Sequence, residues 1–146
     1  MGNQIREARL RAKLSQAELA RLAKVSPSNL CAIESGARNA SPAMTKRLLD
    51  AMVRPSDRLR ENRRAVRELI AKSGVTNPRV FGSVARGEDT PESDLDILVT
   101  LGPGGLWEMV ALPRELGELL GIHVDVVPDS GLQPKHVQIL AEARPL

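Results

Sequence analysis

Apolar residues recur every three or four positions through the first fifty residues, then give way to short alternating runs set between further helical stretches. Ile5, Leu10 and Leu14 predict the buried side of a first helix, whose other side carries Arg6, Arg9, Arg11 and Lys13. Ser15-Gln16-Ala17-Glu18 is a capping box opening a second helix with Leu19, Ala20 and Leu22 inward. Ser26-Pro27 sets a cap before a proline, predicting a third helix that buries Leu30 and Ile33 and ends at Ser35-Gly36. Three residues are expected between the second and third helices, a tight helix-turn-helix connection. Ser41-Pro42 repeats the cap for a fourth helix with Leu48, Leu49 and Met52 inward.

Val53-Arg54-Pro55-Ser56 breaks that pattern, so the chain divides into residues 1–55 and 56–146. Arg58 to Lys72 predicts an amphipathic helix with Leu59, Ala65 or Val66, Leu69 and Ile70 inward. Strands are expected over Val75 to Phe81, Asp94 to Thr100 and Ile122 to Val127. Leu106 to Leu120 reads as helical, but Pro113 within it removes a hydrogen bond and predicts a kink or two pieces. Pro134 to Ala143 is a last short helix. The fold class is α+β: an all-α helix-turn-helix bundle, then a small α/β domain whose mixed sheet carries helices over one face.

Charge sharpens the division. Through Ser56 there are ten Lys and Arg against four Asp and Glu, a net of +6; the remainder has eleven against fourteen, a net of −3. A basic first half suits a polyanion, and an acidic second half suits a metal site. No apolar stretch approaches the roughly 20 residues of a membrane span, and charges from Arg6 onward exclude a signal peptide, so a cytoplasmic protein is expected. Cys31 is the single cysteine, which excludes an intramolecular disulfide; within the third helix it reads as a small semi-buried residue. Phe81 and Trp107 are the only aromatics, too few to stack single-stranded nucleic acid.

The first-half motifs Ser-Gln-Ala-Glu-Leu-Ala, Val-Ser-Pro-Ser-Asn-Leu and Ile-Glu-Ser-Gly-Ala-Arg-Asn resemble the phage-repressor (Cro/C1-type) DNA-binding family over about Ile5 to Met52. The resemblance implies double-stranded promoter DNA as a partner, bound by a homodimer. It turns Ser26, Ser28, Asn29 and Ala32 of the third helix toward the major groove, and Gln16, Arg38 and Asn39 toward phosphates. Asn29 is the candidate for a base-edge contact with adenine. Pro27 and Ala32 stand where long polar readers are common in this family, which implies few direct base contacts.

The second half carries the chemistry. Arg79-Val80-Phe81 runs into Gly82-Ser83, residues 84–93 follow, and then comes Asp94-Leu95-Asp96. A strand ending in Gly-Ser before a helix offers free amides to a phosphate. Side chains two apart on a strand share a face, so Asp94 and Asp96 project together while Leu95 and Ile97 face the core. Paired carboxylates beside a phosphate cradle suit magnesium and a nucleotide.

Gly-Ser, the ten-residue spacer and Asp-x-Asp resemble the nucleotidyltransferase superfamily of DNA polymerase beta over roughly Asp57 to Leu146. The short spacer with Ala-Arg-Gly and Ser-Asp looks like the minimal nucleotidyltransferases, antitoxin halves of toxin–antitoxin pairs. The family's third carboxylate would be Asp125 in His123-Val124-Asp125-Val126-Val127. The resemblance implies Mg2+ at Asp94, Asp96 and Asp125, with ATP as substrate. Gly82 and Ser83 would grip phosphate, and Asp125 would help deprotonate an attacking hydroxyl. Arg86 is a candidate to neutralise leaving-group charge, with a surface pairing to Glu88 or Asp89 as its alternative; His123 is expected to pack or face solvent.

The implied activity is AMP transfer to a tyrosine of a HEPN-family ribonuclease toxin, with which the chain is expected to form a hetero-oligomer in addition to, or instead of, its homodimer. The chain has no tyrosine and cannot modify itself in that way. Two competing readings are a non-enzymatic antitoxin and repressor that masks its toxin, and a small-molecule nucleotidyltransferase of the antibiotic-modifying kind. The latter carries a further substrate domain for which about 90 residues leave no room.

Overall fold

Ser15, Ser26 and Ser41 each accept a hydrogen bond from the amide three residues on, and so start three successive helices. At Ser15 the bond is reciprocated, since the Glu18 carboxylate accepts from the Ser15 amide at 2.7 Å. The computed structural model describes residues 1–146 and separates into two units, Met1–Arg54 and Pro55–Leu146.

The first unit packs α1 (Gly2–Arg11), α2 (Gln16–Leu22), α3 (Pro27–Glu34) and α4 (Pro42–Asp50) around Ile5, Leu14, Leu19, Leu30, Ile33 and Leu48. Four residues, Ala23 to Ser26, join α2 to α3, one more than the sequence pattern predicts. Leu10 is exposed rather than inward, because it lies five residues from Ile5, well around the helix, whereas Arg9 lies four away and shares its side. Leu49 is likewise exposed; Leu48 and Met52 occupy the inward positions four apart. Cys31 is exposed, not semi-buried.

Arg9 therefore takes a core position, and its charge is met there. Its Nε donates to Glu34 Oε1 at 2.7 Å and its Nη2 to Glu34 Oε2 at 3.0 Å. Its Nη1 donates to the Leu14 carbonyl at 2.8 Å. Gln16 Nε2 also donates to Glu34 Oε2 at 2.7 Å. The two charged side chains are only 8 % and 3 % exposed, so this fork joins α1 to α3 largely out of water.

The second unit begins with α5 (Pro55–Ser73), which starts at the boundary proline, three residues earlier than predicted. Then follow β1 (Thr76–Phe81), α6 (Gly82–Arg86), β2 (Leu95–Thr100), α7 (Leu112–Leu120), β3 (Val124–Pro128), α8 (Val137–Glu142) and β4 (Arg144–Pro145). The stretch read as one helix is two pieces: a 3-10 segment over Gly105–Met109, then α7 with Pro113 in its first turn, where no amide is needed. The sheet order is β3-β2-β1-β4, with β2 and β3 parallel and the other pairs antiparallel. A parallel pair needs a crossover, and α7 lies within it.

Leu95, Ile97 and Val99 of the central β2 pack with Leu59, Val66 and Ile70 of α5 and with Leu112, Leu116 and Leu120 of α7. Asp96 alternates to the opposite face, where Leu98 is also buried, beside Arg79 and Val127 across the sheet. The two-residue β4 pairs with β1 and had no sequence signal of its own. No helix is long and apolar enough to cross a membrane.

The Arg9–Glu34 fork makes a stability prediction. Hydrogen bonding from Arg9 is the largest influence on Glu34; with Gln16 it outweighs burial and holds the carboxyl below its ordinary value. A depressed carboxyl contributes stability that is full above its unfolded value of about 4.3 and is lost as pH falls through the folded value. Glu34→Ala should cost about 3–5 kcal/mol in urea unfolding at pH 7, since it strands a buried guanidinium. Arg9→Met combined with Glu34→Leu should recover most of that loss. The gap between wild type and Glu34→Gln should close as pH falls below 4.3; a pH-independent gap would refute the ion-pair account.

Candidate active site

Strand register assembles the second unit's acidic edge. Asp96 stands opposite Phe81 on one side and opposite Asp125 on the other. Phe81 is the last residue of β1, so Asp96 also lies against Gly82, where the chain turns into α6. Gly82 has φ +71, and a Cβ placed there would collide with the Asp96 carboxylate. The left-handed backbone thus favours glycine, and a side chain there would push the Asp96 carboxylate aside. Ser83 follows, half-buried, at the start of a helix whose first amides lack helical partners.

Asp94 precedes β2 and Asp125 lies within β3; their side chains are about half exposed, at 52 % and 51 %. Asp96 is half-buried. Burial, then Asp125, then Asp94 push its carboxyl above the ordinary value, while Arg86 and His123 pull it down. Ionised carboxylates held together in this way destabilise one another, and a divalent cation relieves exactly that repulsion in kind. Hard oxygen donors on an open edge fit magnesium.

The tightest convergence differs from the expected trio. Ligating atoms of Asp94, His123 and Asp125 lie within 4.8 Å of one another, and Asp96 stands outside that group. His123 faces solvent, one of its two expected placements, and its Nδ1 sits 3.6 Å from Asp94 Oδ1 and 3.8 Å from Asp125 Oδ1. Its place two residues before Asp125 on the same face was the available signal.

Arg86 is held by two carboxylates, donating from Nε to Glu88 at 2.8 Å and from Nη1 to Glu142 of α8 at 3.0 Å. Asp89, its other suggested partner, does something else. Only 1 % exposed, it accepts from the Ser56 amide at 2.9 Å and so caps α5 from a distant loop. Thr90 N donates to Ser93 Oγ at 2.9 Å just ahead of Asp94. Asp129, after β3, accepts from Arg79 Nη2 at 2.7 Å and from Thr100 Oγ1 at 2.5 Å, tying β1, β2 and the end of β3 together. Sequence reasoning missed both Asp89 and Asp129.

In the first unit, Ser28, Arg38 and Asn39 are exposed, and Asn29 and Ala32 are half-buried. Ser26 is exposed with its hydroxyl engaged as the α3 cap. Arg38 Nη1 donates to Asn29 Oδ1 at 3.1 Å, and the Arg38 amide donates to the Ala32 carbonyl at 3.0 Å. Arg38 and Asn29 are therefore neighbours. Gln16 stands apart from them in its bonding, its amide engaged by Glu34.

A family model described as a nucleotidyltransferase domain matches residues 59–146, and one described as a helix-turn-helix domain matches residues 1–62. A candidate protein adenylyltransferase of Methanocaldococcus jannaschii is 40 % identical over 77 residues, 52 % of this chain and 83 % of that protein. The protein adenylyltransferase MntA of Thermococcus cleftensis is 41 % identical over 68 residues, 46 % of this chain and 69 % of that one. A solved structure of a candidate minimal nucleotidyltransferase superposes with a TM-score of 0.56 at 46 % identity, covering 62 % of this chain and 95 % of that chain. The Gly82 turn and the aspartate-bearing strands lie within the matched region, and the chain belongs to the nucleotidyltransferase family as a minimal nucleotidyltransferase preceded by a helix-turn-helix domain.

Proposed function

We propose that this nucleotidyltransferase is the antitoxin of a toxin–antitoxin pair, transferring AMP from Mg-ATP to a tyrosine of a HEPN-family ribonuclease toxin in the cytoplasm. Its helix-turn-helix domain represses the shared operon as a dimer. The observation that carries the enzymatic part is Asp96, half-buried between the Gly82 turn and Asp125. The names of the protein adenylyltransferase relatives support the direction of transfer.

Asp94, Asp96 and Asp125 are the residues that would hold magnesium, which supplies charge neutralisation for a triphosphate when bound. The Gly82 and Ser83 amides and the Ser83 hydroxyl grip phosphate oxygens and orient the α-phosphorus. The tyrosine oxygen forms the new bond to that phosphorus as the bond to pyrophosphate breaks. Asp125 takes the hydroxyl proton, and pyrophosphate leaves with the electron pair. Arg86 keeps its pairs with Glu88 and Glu142, and its charge is nonetheless felt at Asp96.

Magnesium should raise the melting temperature of the second unit's transition in the full chain, by about 2.7 kcal/mol of stabilisation at a hundredfold excess over its dissociation constant. Asp94→Asn/Asp96→Asn should stay folded and lose the response. Equal stabilisation of both proteins would place the cation elsewhere.

Intact-mass spectrometry tests transfer. With Mg-ATP and its toxin, wild type should add about 329 Da per event to the toxin, as a covalent modification. Asp96→Asn should abolish the addition while still binding toxin. A toxin neutralised with its mass unchanged would establish masking instead.

For the DNA-binding half, gel shifts on an inverted repeat from the promoter should weaken steeply with salt. Arg38→Ala should weaken binding to every sequence alike, and Asn29→Ala should relax base preference. No shift at low salt would sink the repressor role.

A further inference from the structure

We infer that His123 is a ligand of the cation site, completing with Asp94 and Asp125 a mixed nitrogen and oxygen set that favours a first-row transition ion over magnesium. This rests on the reading of the aspartates as metal ligands and adds to it a donor of different chemistry.

The argument is geometric first. Octahedral ligands about 2.1 Å from an ion lie about 3.0 Å apart when adjacent and about 4.2 Å apart when opposite. His123 Nδ1 stands 3.6 Å and 3.8 Å from Asp94 Oδ1 and Asp125 Oδ1, and one ligating atom from each of the three residues lies within 4.8 Å of the others. Small side-chain rotations bring all three onto one ion. The His123 side chain is 67 % exposed, which leaves its ring room to turn.

The backbone fixes the arrangement more firmly than the side chains do. His123 immediately precedes β3 and stands two residues before Asp125, a spacing that puts both side chains on one face of extended chain. The Leu95 amide donates to the His123 carbonyl at 3.1 Å, which seats His123 beside β2 next to Asp94. The parallel ladder pairs Leu95 with Val124 and Asp96 with Asp125, so Asp94 and His123 each stand one residue ahead of its first pair, side by side.

The chemistry decides the ion. Magnesium takes oxygen ligands and keeps much of its water, whereas imidazole is a ligand of first-row ions. Asp96, outside the tight group, remains free to serve a second ion or the nucleotide side of the site.

Manganese is the probe, because its unpaired spin couples to a bound nitrogen and because it is the least demanding ion of its series, which makes the test stringent. The full chain is loaded with Mn2+ and inorganic tripolyphosphate, which brings phosphate oxygens and no nitrogen, in a nitrogen-free buffer. Electron spin-echo spectra of wild type should show imidazole nitrogen modulation, and His123→Gln should lack it. Manganese affinity should fall about tenfold in His123→Gln, within the range for removing support from a metal site, while magnesium affinity changes less than threefold. The exposed position makes the variant's metal-free melting temperature a direct check that it folds. Bound manganese without nitrogen modulation, or with modulation unchanged in His123→Gln, overturns the His123 assignment and leaves the aspartate site standing. Failure of wild type to bind manganese or magnesium at all overturns both.

Discussion

The parallel pairing of β2 with β3 is the constraint on which the acidic edge depends. One ladder sets Leu95 beside Val124 in the core and Asp96 beside Asp125 outside it. Slipping that register by one residue would turn Leu95, Ile97 and Val99 onto the face that carries Asp96. The apolar residues that secure the fold thus also secure the carboxylates, because Leu95, Ile97 and Val99 cannot leave the core. On the other side of β2, Gly82 lets the β1–α6 turn approach Asp96 without a clash. Hydrophobic burial holds together charges that would otherwise separate.

The first unit uses electrostatics in the opposite sense. At the acidic edge like charges are gathered, Asp94 and Asp125 open to solvent and Asp96 half-buried between them. In the helical unit opposite charges are gathered and hidden, with Arg9 satisfied by Glu34 and the Leu14 carbonyl. Gln16 joins the same carboxylate, so a residue proposed to face phosphate is also a structural partner of α3. Its reach toward DNA is limited by that bond, whereas Arg38 reaches the Asn29 side chain from an exposed position.

Local patterns carried much of this architecture. The three serine caps, the proline at the head of α7 and the alternation through β2 all depend on near neighbours, which a sequence displays directly. The meeting of Asp96 with Asp125 was legible because each lies on its own alternating run. What escaped was either rotational or distant. Leu10 and Leu49 were misjudged because adjacent helical residues differ by about 100° in direction, so only one of each neighbouring pair can face a small core. The ties of Arg9 to Glu34, Ser56 to Asp89 and Arg79 to Asp129 join residues 25, 33 and 50 positions apart, and nothing local announces them. His123 lay in view but beside a carboxylate with a stronger claim, and β4 is too short to have a period.

The loop from Gly87 to Asp94 connects the end of α6 to the first carboxylate, and it is fastened along its length. The Glu88 amide bonds the Ser83 carbonyl at 2.9 Å, Asp89 bonds the start of α5, and Thr90 bonds Ser93. A segment so anchored has its conformational entropy removed on folding, before any ligand arrives. Any ligand taken at this edge would dock to a standing surface, with little of the ordering cost that a mobile loop would impose.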